Sequence, residues 1–390
     1  MTRVPVTRVP VTRTWLYGAG ASLGLLCDRL LGEPPQRVHP VALFGKLVGH
    51  WDSRWWRDSR VSGVVLAIAG VASGLVAGIA TIAATAGAAR LLRAAVPSRH
   101  RGCWCGGPGK TDCARRASRG VGTVEVLSAA AAVCVASAGR GLRRSATEVA
   151  GMLDSGDLDS ARLALNALVG RDPAGLGAEE MARAVVESVA ENSVDAVVAP
   201  ALWGALAGAP GALAYRAVNT LDSMVGYRDG RYARFGWASA RLDDVANWLP
   251  ARLTAACVVA VRPRQARPIW RAVTQDAPRH PSPNAGVAEA AFAAALDLRL
   301  GGENRYGSIV EVRARLGRGK APEVKDIARS VRLSRDVSAL LACSLCSPVI
   351  WHYTSELARW TFGRDRGARH RRADGGREQV ASSEEAGMAN

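Results

Sequence analysis

Aromatic side chains are scarce in this 390-residue chain, at 5% Phe, Trp and Tyr, while Gly and Ala are abundant. An interior so poor in large rings is filled by small residues, which points to helices packed close together. Acidic residues are also few, 34 against 51 Lys plus Arg, for a formal charge of +17. Such an excess raises nucleic acid as a partner. There is no nucleic-acid-binding motif, however, and no basic stripe interleaved with aromatics, so no nucleic acid is expected. A Walker-type phosphate loop is lacking as well. Gly106 to Thr111 ends in Gly-Lys-Thr, but Trp104 stands where the first Gly of that motif belongs. A bound nucleotide would need another architecture. The N-terminus repeats Arg-Val-Pro-Val-Thr, and its apolar run lacks a small-residue cleavage site before Asp28 and Arg29. It is read as no signal peptide, with no part removed on export.

Charge is missing altogether from Val61 to Ala89. The run exceeds the ~20 residues that cross a bilayer as a helix. Shorter or interrupted apolar segments occupy Trp15 to Leu26, Val126 to Gly139, Ala196 to Tyr215 with Pro200 and Pro210 inside, Leu253 to Val261, and Val337 to Ser355. The expected fold is all-α: a multipass integral membrane protein of four or five membrane segments, some broken, with cytoplasm-facing helices and loops. The positive charge falls outside those segments, at Arg3, Arg8 and Arg13 and in residues 99–119, 262–279 and 359–372. Basic loops beside apolar spans mark the cytoplasmic side of a cell membrane and contact anionic lipid.

Composition shifts divide the chain into N-terminal membrane segments (15–96), a basic Gly-rich linker (97–120), a helical membrane core (121–355) containing a polar loop (262–336), and a charged tail (363–390) expected to be disordered. Cys27, Cys134, Cys257, Cys343 and Cys346 sit in or beside apolar segments and read as packing residues. His100, Cys103, Cys105 and Cys113 share the linker, but their spacing is not that of a structural zinc site.

Against this background stands a stretch of carboxylates and amides: Glu187, Glu191, Asn192 and Asp195, then Asn219 and Asp222, then Asp243, Asp244 and Asn247. The spacing i, i+4, i+8 stacks Glu187, Glu191 and Asp195 on one helical face, where they repel unless a cation or a phosphate with its metal is bound. The six acids are therefore candidates for metal binding or general-base work. Glu191, Asp195, Asp243 and Asp244 form the Mg²⁺ set, and Asn192, Asn219 and Asn247 the orienting partners. Arg171, Arg216, Arg241 and Arg252 are phosphate candidates, because a guanidinium meets phosphate in bidentate fashion. His39, beside Pro40, is an acid-base candidate. Ser282, Asn284 and Gly286 form a turn able to offer backbone N–H groups to an anion.

The strings Gly32-Glu-Pro-Pro-Gln-Arg-Val-His-Pro40, Val169-Gly-Arg-Asp172, Glu187-Ser-Val-Ala-Glu-Asn-Ser-Val-Asp195, Asn219-Thr-Leu-Asp-Ser-Met-Val-Gly226, Arg241-Leu-Asp-Asp-Val-Ala-Asn247 through Pro250-Ala-Arg252, and Ser282-Pro-Asn-Ala-Gly286 resemble, in this order, the CobD/CbiB family. These are integral-membrane adenosylcobinamide-phosphate synthases of cobalamin biosynthesis. The resemblance covers about Asp28 to Gly319. Pro173 departs from it, where the family often has Thr, and the linker 97–120 resembles an insertion.

The resemblance implies an ATP- and Mg²⁺-dependent ligation. The free propionate of adenosylcobyric acid, the corrinoid substrate, is joined by an amide bond to (R)-1-aminopropan-2-ol phosphate or to the free amino alcohol. Two other classes compete. An intramembrane Mg²⁺-dependent prenyl- or phosphatidyl-transferase also uses Asn/Asp clusters such as Asn219-x-x-Asp222 and Asp243-Asp244-x-x-Asn247, but repeats a fuller Asp-rich motif on two helices and has no counterpart of Glu187 to Asp195. A transporter coupled to buried acids would show an inverted repeat, and none is visible.

Overall fold

The computed structural model describes residues 12–35, 37–95, 110–166, 168–169, 175–227, 230–306 and 309–348, with a compact body from Thr12 to Leu345. The order is α1 (Arg13–Leu31), α2 (Pro40–Trp55), α3 (Arg60–Ala95), α4 (Lys110–Ala136), α5 (Gly139–Asp154), α6 (Leu158–Leu165), α7 (Ala178–Ser193), a π-helical turn (Val194–Val198), α8 (Ala199–Val225), α9 (Trp237–Val261), α10 (Ala266–Arg271), α11 (Ala285–Leu296), β1 (Leu300–Tyr306), β2 (Ile309–Leu316) and α12 (324–348). This is the expected all-α membrane protein, with one antiparallel hairpin added.

The membrane part is built from α1, α3, α4 and α8, packed on one another. Close approach is set by small residues. Gly20 and Gly24 of α1 lie against the backbone of α4, where a Cβ would meet the Val126 and Ala130 carbonyls at 2.6 and 2.7 Å. Gly70, Gly74 and Gly78 repeat the same four-residue spacing along α3 against α8. The other face of α3 presents Val61, Ile68, Val76 and Ile79, each more than 60% exposed. Helices with apolar outer faces and backbone groups bonded within the helix are what a bilayer accepts. At Gly208 (φ 65°), two residues before Pro210, α8 kinks, which is the break anticipated from the prolines.

Among the described residues three helical segments are long and apolar enough to cross a membrane: Arg60–Leu92, Gly122–Asp154 and Ala178–Val225. Four or five were expected. The difference arises at α1, which carries Arg13, Asp28 and Arg29 near its ends, and at α9, which carries Arg241, Asp243, Asp244 and Arg252. The segment Val337 to Ser355 runs past the described residues.

One main core runs from α1, α4 and α8 into α5, α6, α7, α9, α11, the hairpin and α12. Residues 262–336 are not a polar loop. They hold α10, the almost wholly buried α11 and the hairpin, whose register pairs Leu300 with Leu316 and Tyr306 with Ile309. In the sequence of β2, Val310, Val312, Ala314 and Leu316 alternate with polar residues, the period of a strand. α12 is fastened by Ser22 Oγ donating to the Ala342 carbonyl (2.8 Å) and by the Ser193 and Ser334 hydroxyls at 2.8 Å. The second half of the expected linker, from Lys110, is helical and opens α4, whereas residues 96–109, with Cys103 and Cys105, lie outside the described residues, as does the tail 363–390.

Candidate functional site

An open cavity of about 890 Å³ lies where α7, the π turn, the end of α8, α9 and the segment entering α11 converge. Glu187, Glu191, Asp195, Asp222, Asp243, Asp244, Asn247, Ser282 and Asn284 all line it. The row on α7 continues into the π turn, whose wider winding keeps Asp195 on the cavity side of the chain although α7 proper ends at Ser193. Such π insertions concentrate at functional sites because they re-aim a side chain within a helix.

At the centre is a chain of hydrogen bonds. Arg216 Nη1 donates to Asn219 Oδ1 at 3.1 Å, which fixes the amide so that its Nδ2 faces the acids. That nitrogen donates to Asp195 Oδ2 at 3.1 Å and to Asp243 Oδ1 at 3.4 Å. Asn247 Nδ2 donates to the second Asp243 oxygen at 2.9 Å, and Asn247 Oδ1 accepts from the Tyr215 hydroxyl at 2.8 Å. Burial pushes the Asp243 carboxyl up to about 6, with the Asp244 charge acting in the same direction and the bonds from Asn247 and Asn219 opposing it.

The other acids are anchored differently. Glu187, almost fully buried, accepts the Gly301 amide at 2.9 Å and lies 3.9 Å from Arg183 Nε, so it ties α7 to the start of β1. Asp244 pairs with Arg241 at 3.2 Å. Gly226 abuts Asp222 so closely that a Cβ there would overlap the carboxylate.

Several expected ligand contacts are internal props. Arg252 donates to Asn284 Oδ1 (2.8 Å) and to the Pro283 carbonyl (3.3 Å) while stacking on Trp248. With Asn284 Nδ2 bonded to the Asp244 carbonyl (2.8 Å), it clamps the 282–284 turn onto α9. The amides of that turn are not offered to an anion: Ser282 N donates to His280 Nδ1, and Asn284 N and Ala285 N donate to Ser282 Oγ, at 3.1, 3.3 and 3.1 Å. Asn192 bonds Ser188 rather than facing the cavity. His39 caps α2 by accepting the Val41 amide at Nδ1 (3.1 Å), does not line the cavity, and burial lowers its pKa. Arg171 lies outside the described residues.

Two residues that sequence reasoning missed belong to this cavity. Glu289, 3% exposed, is the one charge on the otherwise uncharged α11, and its Oε1 lies 3.8 Å from Nε2 of His280. A lone carboxylate in a run of Ala and Val was the signal. The His280 Nδ1 lies 3.1 Å from the Ser282 amide and 3.2 Å from its carbonyl, which leaves Nε2 on the side of Glu289.

The four carboxylates read as a Mg²⁺ set all face the cavity, but among the described residues no three His, Cys, Asp or Glu side chains converge as a metal cage. Mg²⁺ requires less, being held by one or two carboxylates with water and substrate phosphate. Asp195 and Asp243, bridged through one amide, fit that mode.

Comparison with known proteins identifies the family. Residues 21–334 match the family described as CobD/Cbib protein. The chain is 44% identical over 333 residues to the Cobalamin biosynthesis protein CobD of Mycobacterium tuberculosis (strain CDC 1551 / Oshkosh), covering 84% of this chain and 94% of the relative. It is 39% identical over 303 residues to the protein of that name from Pelobacter propionicus, covering 76% and 84%. The corresponding protein of Halalkalibacterium halodurans is 37% identical over 317 residues, covering 79% and 89%. No solved structure matches. From the acid row on α7 to the turn before α11, the matched span takes in the whole described wall of the cavity, and the chain belongs to the CobD/CbiB family.

Proposed function

We propose that this protein acts in cobalamin biosynthesis at a cell membrane as an amide-forming ligase. It joins the free propionate of adenosylcobyric acid to (R)-1-aminopropan-2-ol phosphate, or to the unphosphorylated amino alcohol. The observation that carries the reading is the single cavity in which the Asp195–Asn219–Asp243 bridge and the His280–Glu289 pair share one wall system.

A carboxylate resists attack by an amine because its negative charge makes it a poor electrophile and oxide a poor leaving group. MgATP would supply the missing chemistry by turning one propionate oxygen into a phosphate leaving group. The chain's own groups account for the rest. Asp195 and Asp243 would hold a hard cation with its phosphate, and Asn219 and Asn247 keep the two carboxylates oriented. An amine is an ammonium at neutral pH, so one proton must leave before attack and one as the amide forms. Glu289, with His280 beside it, is the acceptor removed from the cation site. The exposed apolar face of α3 would keep the protein in the bilayer.

The test uses membranes containing the protein, adenosylcobyric acid, Mg²⁺ and either amine donor, with and without ATP, read by mass spectrometry. An adenosylcobinamide or adenosylcobinamide phosphate peak that requires ATP supports the reading. No product with either donor would discard it in favour of the Mg²⁺-dependent transferase.

A further inference from the structure

We infer that a second cavity, open to the surface and lined by the end of α1, the start of α5 and the middle of α12, is a binding site for a phosphate group. It has a volume of about 390 Å³ and shares no lining residue with the acidic cavity. Five guanidinium groups face it, Arg29, Arg140, Arg143, Arg144 and Arg335, against one lining carboxylate, Glu148. They come from three stretches of chain far apart in sequence, so the fold itself assembles the charge.

The local partners do not use up this charge. Glu148 is taken by Arg144 at 2.8 Å, and Arg140 is held by the Leu30 carbonyl. Arg143, whose side chain is 13% exposed, has Asp28 as its acidic neighbour at 4.0 Å, but that carboxylate also accepts the Arg140 amide at 3.2 Å at the start of α5. Nη1 of Arg143 is buried without a hydrogen-bond acceptor among the described residues. Buried Asp28 is the charge that acts on it most, and Arg29 and Arg335 lie close enough to repel it. A buried guanidinium N–H left without an acceptor is unfavourable, and an anion entering beside it would supply one.

Phosphate fits this geometry best, because its oxygens meet planar guanidinium groups two at a time. The place in the fold supplies the second argument. α1 ends in Leu30 and Leu31, 72% and 76% exposed, and α5 follows directly on the apolar length of α4. A basic cavity rimmed by exposed leucines at the end of apolar helices belongs at a membrane boundary. Two sources of phosphate reach such a place: the headgroup of an anionic lipid and the polyphosphate chain of a soluble nucleotide. The inference does not depend on the ligation reading, since it concerns binding alone.

The experiment compares the purified protein with the double variant Arg29→Gln/Arg335→Gln and with a control, Arg264→Gln/Arg267→Gln, all four positions being exposed. One arm titrates inorganic tripolyphosphate and ATP into protein in neutral detergent by calorimetry. The other extracts the protein from vesicles of phosphatidylglycerol and phosphatidylcholine and counts retained lipid by native mass spectrometry. Loss in the Arg29/Arg335 variant, of roughly tenfold or more in affinity or of the retained phosphatidylglycerol, with the control unchanged, establishes the site. The first arm then identifies the soluble anion and the second the lipid. Equal binding by all three proteins in both arms, or equal loss in both variants, overturns the inference.

Discussion

Asp195 and Asp243 are held together by one amide nitrogen, that of Asn219, at 3.1 and 3.4 Å. Two carboxylates from different helical segments converge on a donor whose other end is fixed by Arg216. The bridge brings together two carboxylates that, in the proposed function, a cation would neutralise.

Removing the bridge exposes that repulsion. Asn219→Ala should lower the melting temperature of the metal-free protein, the loss of a hydrogen bond to a charged group being worth about 1.5–3 kcal/mol. Mg²⁺ should restore more of the melting temperature in the variant than it adds to the wild type. Thermal unfolding in detergent across a Mg²⁺ series checks both statements, and an unchanged melting point would show that the bridge does not oppose repulsion.

Protons compete with the cation at this site. Because burial raises Asp243 to about 6, its carboxyl binds a proton more tightly in the folded chain than in the unfolded chain. In metal-free protein this contribution to stability is fully present below the unfolded carboxyl range and is lost as pH rises through about 6. Mg²⁺ affinity runs the other way, rising by up to about tenfold per pH unit below that point and levelling off above it. Asp243→Asn should flatten the Mg²⁺ profile, which calorimetric titrations between pH 5 and 8 would measure.

Glu289 is assigned proton acceptance rather than cation binding. Glu289→Gln should reduce kcat by about a hundredfold or more while leaving Mg²⁺ affinity near that of the wild type. The variant should also lose the acidic limb of the kcat–pH profile. If Mg²⁺ affinity falls with kcat, the assignment is wrong.

The packing of α3 on α8 depends on absent side chains. A Cβ at Gly74 would come within 2.7 Å of Ala214 Cα and the Leu213 carbonyl, whereas one at Gly87 meets nothing within 4 Å. Gly74→Leu should abolish the monodisperse species in detergent size-exclusion chromatography, and Gly87→Leu should leave it intact.

Much of this was legible before any coordinates. The uncharged run from Val61 gave α3, and the acids from Glu187 to Asn247 do meet in one cavity. The arginines were harder, because sequence shows that a guanidinium is present but not which acceptor it reaches. Arg216 and Arg252 turn out to serve Asn219 and Asn284, and the cluster that faces a cavity is scattered over positions 29, 140–144 and 335. The hairpin was hidden in a polar stretch, although the alternation in β2 is that of a strand. His280 and Glu289 are nine residues apart, and only the turn at 281–284 folds one back on the other.

The central claim, that the Asp195–Asn219–Asp243 cavity carries out ATP-dependent ligation, is tested most directly by product formation in matched membranes. These would contain the wild type, Asp195→Asn, Asp243→Asn, or the exposed control Asp154→Asn, at equal protein levels. The account predicts amide product from the wild type and from Asp154→Asn, with loss of about a hundredfold or more in the two cavity variants. Undiminished product from Asp195→Asn and Asp243→Asn would contradict it.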